Sequence, residues 1–123
     1  MEIQIPTLLL DGTVLMLVSQ EEMYGYALTQ TVQKSFPISE STLYPVLRRL
    51  KKEGALETHD VPFEGRMRRY YRITTLGKKQ LQKIATDWEI FKALIDEIME
   101  GSAQPNQIPK LIEKNSKGAI NNE

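Results

Sequence analysis

The stretch ISESTLYPVLRRLKKEGALETHDVPFEGRMRRYYRIT, residues 38–74, changes its periodicity halfway along, and that change decides the fold. Leu43, Val46, Leu47 and Leu50 recur at i, i+3, i+4 and i+7, one face of an α-helix. Ser39 stands where an N-cap belongs, and Gly54 follows the last lysines as a stop. The opposite helix face carries Ser41, Thr42, Tyr44, Arg48, Arg49, Lys51 and Lys52. Beyond Gly54 the pattern alternates as in strands. Residues 55–61 and 67–74 flank a tip, Pro62-Phe63-Glu64-Gly65, and so predict a β-hairpin. Arginines 66, 68, 69 and 72 crowd that tip and its return strand. A polar-faced helix followed by a basic hairpin is the layout of a winged helix-turn-helix.

The layout has a physical use. A helix fits the major groove and brings small polar side chains to base edges, while a hairpin with arginines at its tip reaches neighbouring phosphates or the minor groove. Charge agrees with it. Residues 39–79 hold ten lysines and arginines against five acids, a net of +5, in a chain whose total is zero. The positive field is therefore focused on one segment.

Outward from this segment, Leu8–Ser19 is strongly apolar and predicts a buried first helix, with Gly12 weakening its early turns. Tyr26–Lys34 predicts a second helix with Ala27, Leu28 and Val32 inward, ended by Phe36-Pro37. The short connection to Ile38 suits a helix-turn-helix. Pro45 falls inside the third helix, so that helix either starts nearer Thr42 or Leu43 or is distorted around residues 41–45. In the return strand the expected inward side chains are Tyr71 and Ile73. His59 is expected to face solvent. Thr74-Thr75 opens a last helix with Gly77 in its first turn. Along it Leu81, Ile84, Trp88, Phe91, Ile95 and Ile98 follow a 3-4-3-4-3 spacing, the a/d seam of a coiled coil. That helix is longer than a small three-helix core covers, so part of the seam is expected to bury itself on a second chain. Gly101 ends it, and residues 102–123, rich in Asn with Pro105 and Pro109, predict a loose tail in which 108–114 form at most a helical turn.

The residues also match a family. Gly25-Tyr26, the string STLYPVLRRL with KKEGAL after it, and RRYYRITTLGKKQL resemble the PadR-like transcriptional regulators, specifically the short members with one C-terminal helix. The likeness covers about residues 7–100. It implies a cytoplasmic prokaryotic repressor, a homodimer through the C-terminal helix, with two winged heads on a pseudo-palindromic operator. Such regulators often control their own gene and a neighbouring transporter or detoxifying enzyme, and some are relieved by phenolic acids or planar aromatic drugs. In the drug-responsive relatives the ligand lies between tryptophans of that helix at the dimer centre. Trp88 lies in the corresponding helix here.

Together these observations predict a mainly α chain with a small β-hairpin wing (α+β). Residues 1–75 form the winged helix-turn-helix, 76–101 the dimerisation helix and 102–123 the tail. Ser41, Thr42 and Tyr44 are candidates for base or backbone contact, against a bland role as capping residues. Arg48, Arg49, Lys52, Arg66 and Arg68 are candidates for phosphate contact, against a solvated charged face. Leu81, Ile84, Trp88, Phe91, Ile95 and Ile98 are the expected dimer interface, with Trp88 the candidate for an aromatic effector. The alternative function is a winged-helix protein-interaction module without DNA binding. No cofactor is expected. Zero cysteines and one histidine supply metal sites poorly, and no nucleophile–base pair or phosphate-binding glycine loop is present. The longest apolar run, Leu8–Val18, is interrupted by Asp11, Gly12 and Thr13 and predicts no membrane span.

Overall fold

The structure, a computed structural model, describes residues 2–101. Four helices and three strands follow in the order α1 (Thr7–Gln20), β1 (Met23–Tyr24), α2 (Gly25–Ser35), α3 (Glu40–Lys52), β2 (Leu56–Phe63), β3 (Arg66–Ile73) and α4 (Thr75–Gly101). The chain divides into two units, Met1–Ala85 and Thr86–Glu123, and the division falls inside α4. The expectations for the tail lie outside the described residues.

The core belongs to the first unit. Leu10, Val14, Leu15 and Val18 of α1 meet Leu28 and Val32 of α2 and Leu43, Val46, Leu47 and Leu50 of α3. Ala55, Leu56 and Tyr71 close it from the wing, and Ile84 from α4. Each fully buried leucine contributes about 1.5–3 kcal/mol relative to exposure. Two glycines permit the closest approaches. A Cβ on Gly12 would come within 2.7 Å of the Ile84 side chain, so this glycine lets α4 lie on α1. A Cβ on Gly77 would overlap the Ala55 carbonyl oxygen and sit 2.8 Å from Ile73. The first turn of α4 thus rests on the root of the wing.

Local chemistry sets the ends of α3. The Ser39 hydroxyl accepts from the Thr42 amide at 3.2 Å, which satisfies one orphan donor of the first turn. At the other end Gly54 takes φ +87°, while its amide bonds the Lys51 carbonyl and that of Ala55 bonds the Leu50 carbonyl, the two bonds of a Schellman stop. The helix runs from Glu40 through Pro45 without starting late. Pro45 removes only the donor that would have met the Ser41 carbonyl, and its ring lies exposed near the N-terminal end.

The wing differs from expectation at its tip and its inner edge. Pro62 and Phe63 belong to β2, paired with Met67 and Arg66, and the turn is only Glu64-Gly65. Both turn residues have positive φ, 52° and 79°, as a two-residue type I′ hairpin requires. β2 is an edge strand in the order β1-β3-β2, where a proline lacking a donor is tolerated. β1 was not foreseen: Met23 and Tyr24 pair with Tyr71 and Tyr70, so a two-residue strand joins the entry of α2 to the wing. Tyr71 is buried and Ile73 packs against the core, as the alternation predicts.

Candidate nucleic-acid interface

The N-terminal end of α3 carries a small polar cluster. Besides capping the helix, the Ser39 hydroxyl lies 2.9 Å from that of Ser41 and 3.1 Å from that of Thr42. Ser41 and Thr42 are exposed. Their oxygens can exchange partners between the cap and an incoming base or phosphate. Tyr44 is half-buried, one turn before Arg48. Arg48 and Lys52 are exposed and form no hydrogen bond or ion pair among the described residues.

Arg49 sits elsewhere. One guanidinium nitrogen lies 2.6 Å from the Asp11 carboxylate on α1, and the other 3.5 Å from Glu53. Asp11 is only 8% exposed, so this pair ties α3 to α1 from inside. The hydrogen bond to Asp11 raises the guanidinium pKa above its ordinary value. The sequence-based grouping of Arg49 with Arg48 and Lys52 overlooked this partner, 38 positions earlier in the chain.

On the wing the four arginines have four environments. Arg69 pairs with Asp60 at 3.2 Å and Arg72 with Glu57 at 3.0 Å, each directly across β3–β2. Arg68 lies over the Phe63 ring, 3.6 Å from its centroid, and over that of Tyr24 at 4.4 Å. The two rings hold the guanidinium group itself, and Arg68 is half-buried. Arg66, beside the turn, is exposed and forms no ion pair among the described residues. His59 corrects another expectation. It is half-buried, stacks on Tyr70 at 5.7 Å, and its Nε2 lies 2.9 Å from Glu22.

Sequence reasoning missed one feature of this surface. Between the start of α2, Tyr44 of α3 and the inner face of the wing lies an open recess of about 400 Å³. Its walls include Gly25, Tyr26, Tyr44, Arg69 and Tyr71. The signal was present in the tyrosines near the glycine, but only β1 and the β3 register bring those segments together.

The expected seam is split by the fold. Ile84 is buried, and Leu81 partly buried, against the core of the first unit. In the second unit Trp88, Phe91, Ile95 and Ile98 are between 38% and 55% exposed. Trp88 and Phe91 are 6.3 Å apart at their ring centres, and Lys92 reaches over the indole. Among the described residues, no cluster suits a metal ion, and no helix is long and apolar enough to cross a membrane.

Three helices, a capped polar third helix and a basic two-stranded wing define a winged helix-turn-helix protein. Residues 14–83 match the model of the transcriptional regulator PadR-like family. The chain belongs to that family, whose members regulate transcription by binding DNA; it is not an enzyme. Among solved structures, it resembles smu.1704 from Streptococcus mutans, with 40% identity and a TM-score of 0.77 over 82% of this chain and 95% of that one. A PadR-like transcriptional regulator from Bacillus cereus gives 34% and 0.70 over 76% and 93%. Among curated proteins, the transcriptional regulator Rv3488 of Mycobacterium tuberculosis is 33% identical over 86 residues, 69% of this chain and 78% of that protein. These relatives favour DNA binding over the protein-interaction alternative.

Proposed function

We propose that this protein is a cytoplasmic homodimeric repressor that occupies a pseudo-palindromic operator with one winged head per half-site. Ser41, Thr42 and Tyr44 present the reading end of α3 to the major groove, and Arg48, Lys52, Arg66 and Arg68 hold the flanking backbone. Arg49 positions α3 through Asp11.

The observation that carries the dimer is the exposed apolar stripe of Trp88, Phe91, Ile95 and Ile98. A run of large apolar side chains at a/d spacing is covered in a working protein, and a second copy of the same helix covers it symmetrically. An aromatic effector entering that seam beside Trp88 relieves repression if it binds the DNA-incompetent spacing of the heads more tightly, since only differential affinity moves an equilibrium.

The test is a transcriptional reporter driven by the region upstream of the protein's own gene, combined with sedimentation equilibrium of the purified chain. A dimer whose removal raises reporter output is the expected result. A monomer at micromolar concentration, or output that falls on removal, counts against the proposal.

A further inference from the structure

At the root of the wing the end of α3 and the start of α4 meet on one side chain. The Thr74 hydroxyl donates to the Gly54 carbonyl at 2.6 Å and accepts from the Gly77 amide at 3.0 Å. It thereby caps the first turn of α4 while holding the residue that stops α3. The Thr74 amide donates to the Ala55 carbonyl at 3.1 Å, one step beyond the last pair of the wing, Leu56 with Ile73. Gly54 is itself fixed, with φ +87° and its amide on the Lys51 carbonyl. Its carbonyl therefore turns only if the stop of α3 turns with it. Gly77 lacks the Cβ that would push α4 off the Ala55 carbonyl, so the junction closes tightly.

Such a tie matters for a helix that reads bases. Leu43, Val46, Leu47 and Leu50 seat α3 on the core, but apolar contact is non-directional, whereas a hydrogen bond at the helix end fixes a direction. The 13 residues of α3 span about 20 Å, so a tilt at Gly54 is felt at Ser41 and Thr42. Side chains that recognise a ligand work within about 0.5 Å and 10–20° of their productive geometry. We infer that Thr74 is a positioning residue for operator reading: by bonding Gly54 it registers α3 to α4, the helix whose later turns carry the proposed dimer stripe. The inference rests on the proposed docking of α3 in the major groove. Thr74 acts through the direction of α3, and not by contact with DNA.

The hydroxyl does two jobs, and substitution separates them. Thr74→Ser keeps both. Thr74→Asp keeps the cap, because aspartate is a favoured N-cap, but an ionised carboxylate has no proton for the Gly54 carbonyl. Thr74→Ala loses both. Fluorescence anisotropy of a labelled duplex from immediately upstream of the gene, and of one of random sequence, gives the ratio of the two affinities, and thermal unfolding gives Tm. Thr74→Asp is expected to keep a Tm close to that of wild type while its ratio falls by about tenfold, the scale on which one base contact discriminates. Thr74→Ala should show the same fall in ratio with a lower Tm, and Thr74→Ser should restore both. The charge added by aspartate weakens binding to both duplexes and cancels in the ratio, and alanine repeats the comparison without it. A wild-type ratio in either folded variant, Thr74→Asp or Thr74→Ala, overturns the positioning role and leaves Thr74 a cap of α4. A wild type that does not distinguish the two duplexes overturns the proposed reading by α3, and this inference with it.

Discussion

Arg66 and Arg49 show how much a residue's partner matters compared with its charge. Arg66 stands beside a two-residue turn with no ion pair among the described residues, whereas Arg49 is bonded to Asp11 at 2.6 Å. Arg66→Ala should weaken binding almost uniformly across sequences and lower the slope of log affinity against log salt by about one. Titration at several salt concentrations measures this. Asp11→Ala should instead destabilise the fold by about 1–2 kcal/mol, discounted because part of the Arg49 side chain is in water, and denaturant unfolding reads the change. Thr42→Ala should alter discrimination between operator and random duplex by about 1–2 kcal/mol. Equal losses on both would assign Thr42 to the cap alone. Tyr71 adds a pH dependence. Burial raises its pKa above 10.0, so the unfolded chain releases the phenol proton first. Stability present below pH 10 is then lost as pH rises through the folded value, and Tyr71→Phe should flatten that alkaline fall in Tm.

The elements differed in how much of them the sequence revealed. α3 was legible because its apolar period, its capping serine and its stopping glycine all agree, and Leu43, Val46, Leu47 and Leu50 are buried as that period requires. The hairpin was legible in its existence and less so in its tip. Pro62 and Phe63 read as turn residues, yet the edge position of β2 makes proline acceptable within the strand. β1 was illegible because two residues carry no period, and only pairing with Tyr70 and Tyr71 makes them a strand. Arg49 and the recess were hidden for a related reason: their partners are distant in the chain. Gly77 is the position where element meets element most tightly. Gly77→Ala should cost about 1–3 kcal/mol or more by driving α4 off the Ala55 carbonyl, seen as a lowered denaturation midpoint.

For the whole molecule, the 3-4 spacing of the last helix runs unbroken, with part of it expected to lie on a second chain, and the fold divides it between two units. Leu81 and Ile84 complete the core of the first unit, and the exposed stripe belongs to the second. A pattern in one helix cannot tell which of its turns the rest of the same chain will cover. In the proposed dimer a charge within the stripe separates the heads without unfolding them. Ile95→Glu should yield a folded monomer by sedimentation whose operator affinity falls steeply, because two linked heads bind far more tightly than one.

The central claim is that the focused positive charge of α3 and the wing grips DNA while the polar end of α3 selects its sequence. Anisotropy titration of a duplex from immediately upstream of the gene, at two salt concentrations with random duplex as competitor, tests it most directly. The account predicts tight binding that resists the competitor, saturates at one dimer per duplex and weakens steeply with salt. Binding that neither distinguishes this duplex from random DNA nor responds to salt would contradict it.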